Sequence, residues 1–173
     1  WPRRDSPERP APVAARAGQK IQLVAMAAST GGPPVVAEIL RRLPRDFAAP
    51  VLLVQHIAPG FTDGLVEWLA RETSLTVKLA ASGESVASGA VYIAPDGFQM
   101  GITVRGQIRL EKALTGNGFC PSASHLFGSV AEAYGPTAIG VLLGGMGRDG
   151  ADGLLRLRQV GGVTIAQDER SSA

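Results

Sequence analysis

Short apolar runs alternate with stretches of helical spacing along most of this chain. Ile21 to Met26 is apolar at almost every position and predicts a buried strand over 21–28. Val35, Val36, Ile39, Leu40 and Leu43 recur at helical spacing and predict a helix over 34–43, which Pro44 ends. Val51 to Gln55 reads as a second buried strand, with His56 delivered at its end. Thr62 is placed to cap a helix from Asp63 to about Arg71, whose apolar side carries Leu65, Val66, Trp68 and Leu69. Leu75 to Ala80 alternates as a third strand, Ser82 to Ser85 is a turn, and Ala90 to Pro95 is a further short strand. Phe98 to Val104 and Gln107 to Glu111 flank Arg105-Gly106 and predict a β-hairpin. Beyond a loop at Thr115-Gly116-Asn117-Gly118, a helix is expected from about Ser122 to Tyr134. A fully apolar strand then runs from Thr137 to Leu143. A glycine-rich turn follows over 144–150, with a helix from about Ala151 to Val160 and a last strand over Val163–Ala166.

Strands that are apolar on both faces and alternate with helices call for a parallel sheet covered on both sides, here with one antiparallel hairpin. The 173 residues suffice for one domain with a full core. Residues 1–19 differ in kind: four prolines, several alanines and scattered charge are linker composition, so the folded domain is expected over 20–173. Residues 1–20 carry a net charge of +3 and the remainder −1. The basic balance thus belongs to the linker, and with only 5% aromatic residues the domain is not expected to bind nucleic acid. A single cysteine, Cys120, excludes an intrachain disulfide and fits a reducing compartment, as a structural thiol. With two histidines and that one cysteine, no zinc spacing exists, so no metal is expected. No apolar run is long enough to span a membrane, and no secretion signal is read.

Chemistry concentrates where strands end. Ala27-Ala28-Ser29-Thr30-Gly31-Gly32-Pro33-Pro34 reads as strand, tight turn and helix, with proline in the first helical turn. A serine there sits beside the open N–H groups of a helix N-terminus, where a nucleophile and an oxyanion hole can coexist. Ser29, His56 and Asp149 all fall at carboxyl ends of strands, where an open parallel sheet forms its sites. They supply a nucleophile, a general base and an orienting carboxylate. Each also has a plainer role: Ser29 or Thr30 as a helix cap, His56 as a core histidine, Asp149 as the cap of the helix beginning near Ala151. A rival fingerprint is present too. Gly145, Gly147 and Gly150 match G-x-G-x-x-G between a strand and a helix, and Asp168 lies 18 residues further on, as in dinucleotide-binding units. Against it, Asp149 would set a carboxylate beside the pyrophosphate, and Ser29 and His56 would have no task.

Five motifs occur in order: Ala28-Ser29-Thr30-Gly31-Gly32-Pro33, Gln55-His56-Ile57-Ala58-Pro59-Gly60-Phe61-Thr62, Tyr92-Ile93-Ala94-Pro95, Pro121-Ser122 with Leu126-Phe127, and Gly145-Met146-Gly147-Arg148-Asp149-Gly150-Ala151. From about Ile21 to Asp168 the chain resembles the catalytic domain of the chemotaxis protein-glutamate methylesterases (CheB-type). That resemblance implies a doubly wound three-layer α/β/α sandwich. It implies hydrolysis of γ-glutamyl methyl esters on the cytoplasmic helices of chemoreceptors, with deamidation of receptor glutamines in many members. Carried over by position, Ser29 is the nucleophile, His56 the base and Asp149 its orienting carboxylate, while the backbone N–H groups of Thr30 and Met146 form the oxyanion hole. It further implies a cytoplasmic protein without cofactor, and an N-terminal receiver domain joined through the linker that 1–19 would end. A receptor-binding module of the same fold without activity is the alternative that shares these expectations. The family continues past the position of Ala173 with a Gly-Met-Pro segment and a final helix, so a C-terminal truncation is expected. Three positions depart from the family pattern: Gln99 and Gly144 replace a common histidine and threonine, and Ser124 a common aspartate.

Overall fold

The computed structural model describes residues 20–112, 119–144, 147–168 and 170–172. The expected linker, the Thr115–Gly118 loop, Gly145 and Met146 lie outside the described residues. In chain order the elements are β1 (Leu23–Ala28), α1 (Gly32–Arg42), β2 (Val51–Gln55), α2 (Thr62–Glu72), β3 (Thr76–Leu79), β4 (Ala90–Ile93), β5 (Phe98–Ile102) and β6 (Ile108–Lys112). They are followed by α3 (Ala123–Ala133), a single 3-10 turn at Gly135–Thr137, β7 (Ala138–Leu143), α4 (Ala151–Gln159) and β8 (Val163–Ala166). The helices and strands expected from periodicity are all there, with ends shifted by no more than two residues.

Among the described residues, six strands form one parallel sheet in the order β3-β4-β2-β1-β7-β8. β5 and β6 pair antiparallel as a separate two-stranded hairpin. Every residue of β1, β2 and β4 is buried, which is why their sequences read as continuous apolar runs rather than alternating ones. Alternation is present all the same, hidden in which face each residue serves. Leu23, Ala25 and Ala27 of β1 pack with Leu126, Phe127 and Val130 of α3 and Leu157 of α4. Val24, Met26 and Ala28 pack with Val36 and Leu40 of α1 and Leu65 and Leu69 of α2. Met100 and Ile102 fasten the hairpin into the first of these cores. Burying each such Leu, Ile, Phe or Met side chain contributes about 1.5–3 kcal/mol. The layers are therefore α1 and α2 on one face, the sheet, and α3, α4 and the hairpin on the other, the doubly wound α/β/α arrangement.

That arrangement fixes where a site can form. The chain leaves β1 through α1 toward β2 on one side, and leaves the neighbouring β7 through α4 toward β8 on the other. Connections that depart in opposite directions open a crevice outside the carboxyl ends of adjacent strands. Residues 29, 56, 144 and 147–149 all follow strands that end at this opening.

Candidate active site

β1 ends in a turn that is closed by its own backbone: the Gly32 N–H donates to the Ser29 carbonyl at 2.8 Å. Gly31 caps α1 with φ 74°, a left-handed conformation that suits glycine, and no side chain bonds the helix N-terminus. Neither Ser29 nor Thr30 caps α1 through its side chain, which removes the plainer reading of both. Among the described residues the Ser29 hydroxyl has no hydrogen-bond partner, and neither has the Thr30 N–H. The turn also needs a small residue behind it, since a Cβ on Gly32 would lie 2.7 Å from the Ala28 Cβ.

Gln55, the last residue of β2, is 4% exposed. Its Nε2 donates to the Ser29 carbonyl at 3.0 Å and to the His56 carbonyl at 3.1 Å, so one buried amide ties the two backbones together. The sequence carried a faint signal for it, a polar residue ending an otherwise apolar buried strand. The His56 N–H donates to the Ala28 carbonyl at 2.8 Å, continuing the β1–β2 ladder one residue past the strand. The imidazole comes to rest beside Asp149, with Nε2 3.0 Å from Oδ2, and their side chains are 17% and 9% exposed.

Asp149 was open to being a cap for the helix that follows it. It does bond a helix N-terminus, but that of a different helix. Gly150 caps α4 with φ 99° and no side-chain bond. The Asp149 carboxylate lies instead at the N-terminus of α3, accepting from the N–H of Ala123 at 2.7 Å, the N–H of Ser124 at 3.0 Å and the hydroxyl of Ser122 at 2.9 Å. Burial is the largest single influence on this carboxyl and disfavours its charge. The hydrogen bonds from His56, Ser124, Ala123 and Ser122 outweigh burial and hold the carboxyl well below the usual carboxylate range. The positive end of α3 acts in the same direction. A charged Asp149 fixes the proton of a neutral His56 on Nε2 and leaves Nδ1 as the nitrogen with an open lone pair.

Ser29, His56 and Asp149 line one pocket of about 40 Å³ together with Ala27, Ala28, Phe119, Ala123, Leu142, Leu143, Gly144 and Gly147. No hydrogen bond joins the Ser29 hydroxyl to His56 among the described residues, a common state of a serine–histidine pair before substrate closes it. Thr30 does not line the pocket, but its backbone passes behind Gly144, which does: a Cβ on Gly144, whose φ is 60°, would lie 2.8 Å from the Thr30 carbonyl oxygen. Met146, the other expected oxyanion donor, lies outside the described residues.

Several residues at the site had no role assigned to them from the sequence. Phe119 stacks on the His56 ring with centroids 4.5 Å apart and planes 8° from parallel. Ser122 caps α3, its hydroxyl accepting from the His125 N–H at 3.3 Å while it donates to Asp149. The hydroxyl of Ser124 accepts from the Gly150 N–H at 2.7 Å, so the turn after Asp149 is tied to α3 as well. Elsewhere, Thr62 is not the cap of α2. Phe61 holds that place, and the buried Thr62 hydroxyl donates to Asp96, which also accepts from the Gly60 N–H at 2.7 Å. Cys120 is half-buried and unpaired, and burial pushes its thiol up. The buried Nε2 of His125, the other histidine, has no hydrogen-bond partner among the described residues. Asp168, the carboxylate of the dinucleotide reading, accepts at Oδ1 from the N–H groups of Arg170 and Ser171 within its own turn. No described helix is long and apolar enough to cross a membrane.

A family model described as CheB methylesterase matches residues 24–173. The chain is 48% identical over 154 residues to a protein-glutamate methylesterase/protein-glutamine glutaminase of Syntrophus aciditrophicus, covering 89% of this chain and 44% of that protein. It is 49% identical over 167 residues to the protein-glutamate methylesterase FrzG of Myxococcus xanthus, covering 95% of this chain and 50% of that one. The crystal structure of the Thermotoga maritima CheB methylesterase catalytic domain superposes with a TM-score of 0.83 at 38% identity, covering 89% of this chain and 83% of that one. The chain thus spans about half the length of the curated relatives it matches.

Proposed function

The chain belongs to the CheB methylesterase family, and from that premise we propose that it hydrolyses γ-glutamyl methyl esters on the cytoplasmic helices of chemoreceptors through a Ser29–His56–Asp149 triad. The observation that carries the reading is the His56–Asp149 pair, bonded at 3.0 Å in the same pocket that Ser29 lines. Ser29 Oγ attacks the ester carbonyl carbon as its proton passes to His56 Nδ1. Asp149, already anionic, stabilises the imidazolium through Nε2 without taking the proton itself. The Thr30 N–H, and that of Met146, hold the developing oxyanion. The C–O bond to the methoxy group breaks, and methanol departs with the proton from His56. Water then gives a proton to His56 and its oxygen to the acyl carbon, releasing the glutamate carboxylate and restoring Ser29. Glutamine follows the same path with ammonia as the leaving group, which accords with the double activity in the name of the Syntrophus aciditrophicus relative.

The wider setting rests on the same family premise. The site works in the cytoplasm, and a receiver domain ahead of residues 1–19 regulates it in the full-length protein. The triad reading is tested by methanol release from methylated receptor and by labelling with a fluorophosphonate probe. Wild type should label at Ser29. Ser29→Ala should not label, and should lose turnover by about 10⁴- to 10⁶-fold. Receptor binding with no methanol release by the folded wild type would instead establish the non-catalytic module.

A further inference from the structure

Gln99 is far from the pocket in sequence and does not line it, yet both ends of its side-chain amide are engaged beside it. Nε2 donates to the Phe119 carbonyl at 2.8 Å, and Oε1 accepts from the Ser122 N–H at 2.7 Å. One amide therefore closes residues 119–122 into a strap. The two ends of that strap carry one group that touches the base and one that touches its carboxylate: the Phe119 ring on the His56 imidazole, and the Ser122 hydroxyl on Asp149 Oδ1. We propose that Gln99 is a positioning residue of the site, acting through this strap to hold Phe119 flat on His56 and Ser122 on Asp149. The proposal rests on the triad reading for its kinetic consequence, but not for its geometry.

Local structure explains why position 99 can do this. Met100 and Ile102 of β5 are buried in the core shared with α3. Side chains alternate along a strand, so Gln99 shares a face with Gly101. Gly101 backs onto α3, where a Cβ would lie 3.2 Å from the Ser129 side chain and 3.5 Å from His125 Nε2. The Ile102 N–H also donates to the Ser129 hydroxyl at 3.1 Å. The hairpin is thereby fixed against α3, and Gln99 reaches the strap that leads into it. The strap requires one donor and one acceptor on a single planar group. A glutamine amide has both, a glutamate lacks the donor, and a neutral histidine has one of each. Phe119 is 52% exposed, so packing alone does not hold it over the imidazole. A ring stacked on the base blocks rotation of the imidazole.

The test combines a spectroscopic and a kinetic readout on the full chain. His56 and His125 are the two histidines of the sequence, so their imidazole Cε1–H resonances are resolved and assigned by Phe119→Ala. Wild-type His56 should be shifted upfield by the Phe119 ring. Gln99→Ala should move that resonance toward its position in Phe119→Ala, while Gln99→His should leave it near the wild-type value. On a small ester, kcat should fall about threefold to tenfold in Gln99→Ala and in Phe119→Ala at unchanged KM, the worth of one aromatic stack. The double variant should stay within about twofold of Gln99→Ala, because residues acting through one another do not add. Gln99→His should restore kcat. Gln99→Glu keeps the Ser122 bond and should lie between wild type and alanine, which keeps the test readable where alanine lowers the melting temperature. A His56 resonance unmoved in both Gln99→Ala and Gln99→Glu overturns the proposal, and so do losses that multiply in the double variant. Absence of esterase activity from wild type would overturn the triad reading and leave the resonance test standing.

Discussion

The two sides of the pocket are built on opposite principles. On the Asp149 side nearly every polar atom is engaged: the carboxylate accepts from His56, Ala123, Ser124 and Ser122. On the Ser29 side the backbone is gripped by Gln55 and Gly32, while the hydroxyl and the Thr30 N–H have no partner among the described residues. The difference is the one that the proposed triad would ask of each side. A carboxylate that orients a base acts as a fixed charge, and fixing it in advance avoids reorganisation during the reaction. A nucleophile and an oxyanion donor must stay unengaged until substrate arrives. Rigidity is therefore placed in the Ser29 main chain and in the Asp149 side chain.

The sharpest way to break this comparison is to alter one side at a time and read turnover and melting together. Ser29→Ala removes a group with no partner, so turnover should collapse with the melting temperature unchanged within error. Asp149→Asn should lower turnover by up to roughly 10⁴-fold. It should also lower stability by about 1–3 kcal/mol, because an amide places a donor among four donors. Unfolding curves of both variants check this. Equal stability of Asp149→Asn and Ser29→Ala would mean that the two sides are not built differently.

Acid separates the sides next. The Asp149 carboxyl is held below the usual carboxylate range in the folded protein. Its contribution is therefore fully present above the unfolded value near ~4 and is lost as pH falls through the folded value. The melting temperature of wild type should exceed that of Asp149→Asn near neutrality, and the gap should narrow below about pH 4. Ser29→Ala should track wild type throughout. A gap that does not change between pH 6 and pH 2.5 would sink the assignment of a depressed carboxyl, both pH values being choices around the ordinary aspartate value of ~3.9.

The smallest effect belongs to the Ser29 backbone. Gly144 has φ 60°, and a Cβ there would meet the Thr30 carbonyl at 2.8 Å. Gly144→Ala should cost about 1–3 kcal/mol from backbone strain, and should slow acylation by displacing Thr30 while Asp149 keeps its bonds. Calorimetry and the rate of fluorophosphonate labelling measure the two parts. A variant as stable and reactive as wild type would show that this turn is not held rigidly.

The apolar periodicity of the chain was enough to place the helices and strands, because buried strands and amphipathic helices must show their faces in the order of their residues. It placed Ser29, His56 and Asp149 at carboxyl ends of strands for the same reason. What it left open were the partners. Ser29, Thr30 and Asp149 each had the composition of a cap, and cap preference is a local statistic that does not say which helix is capped. Asp149 follows β7 and precedes α4, yet it binds the N-terminus of α3, whose first residues lie 25 to 27 positions earlier. Thr62 likewise gave up the expected cap for a bond to Asp96, 34 residues away.

Sequence by itself thus determined the elements, their alternation, the covered parallel sheet and the strand ends from which the site is assembled. The tertiary structure alone decided that Asp149 meets α3, that His56 presents Nε2 to it, that Gln55 joins two backbones, that Phe119 reaches the imidazole, and that Gln99 bonds the segment carrying Phe119. The physical reason is range. Burial and backbone preference act between near neighbours and leave a periodic trace, whereas a hydrogen bond between distant residues depends on how layers pack and leaves none.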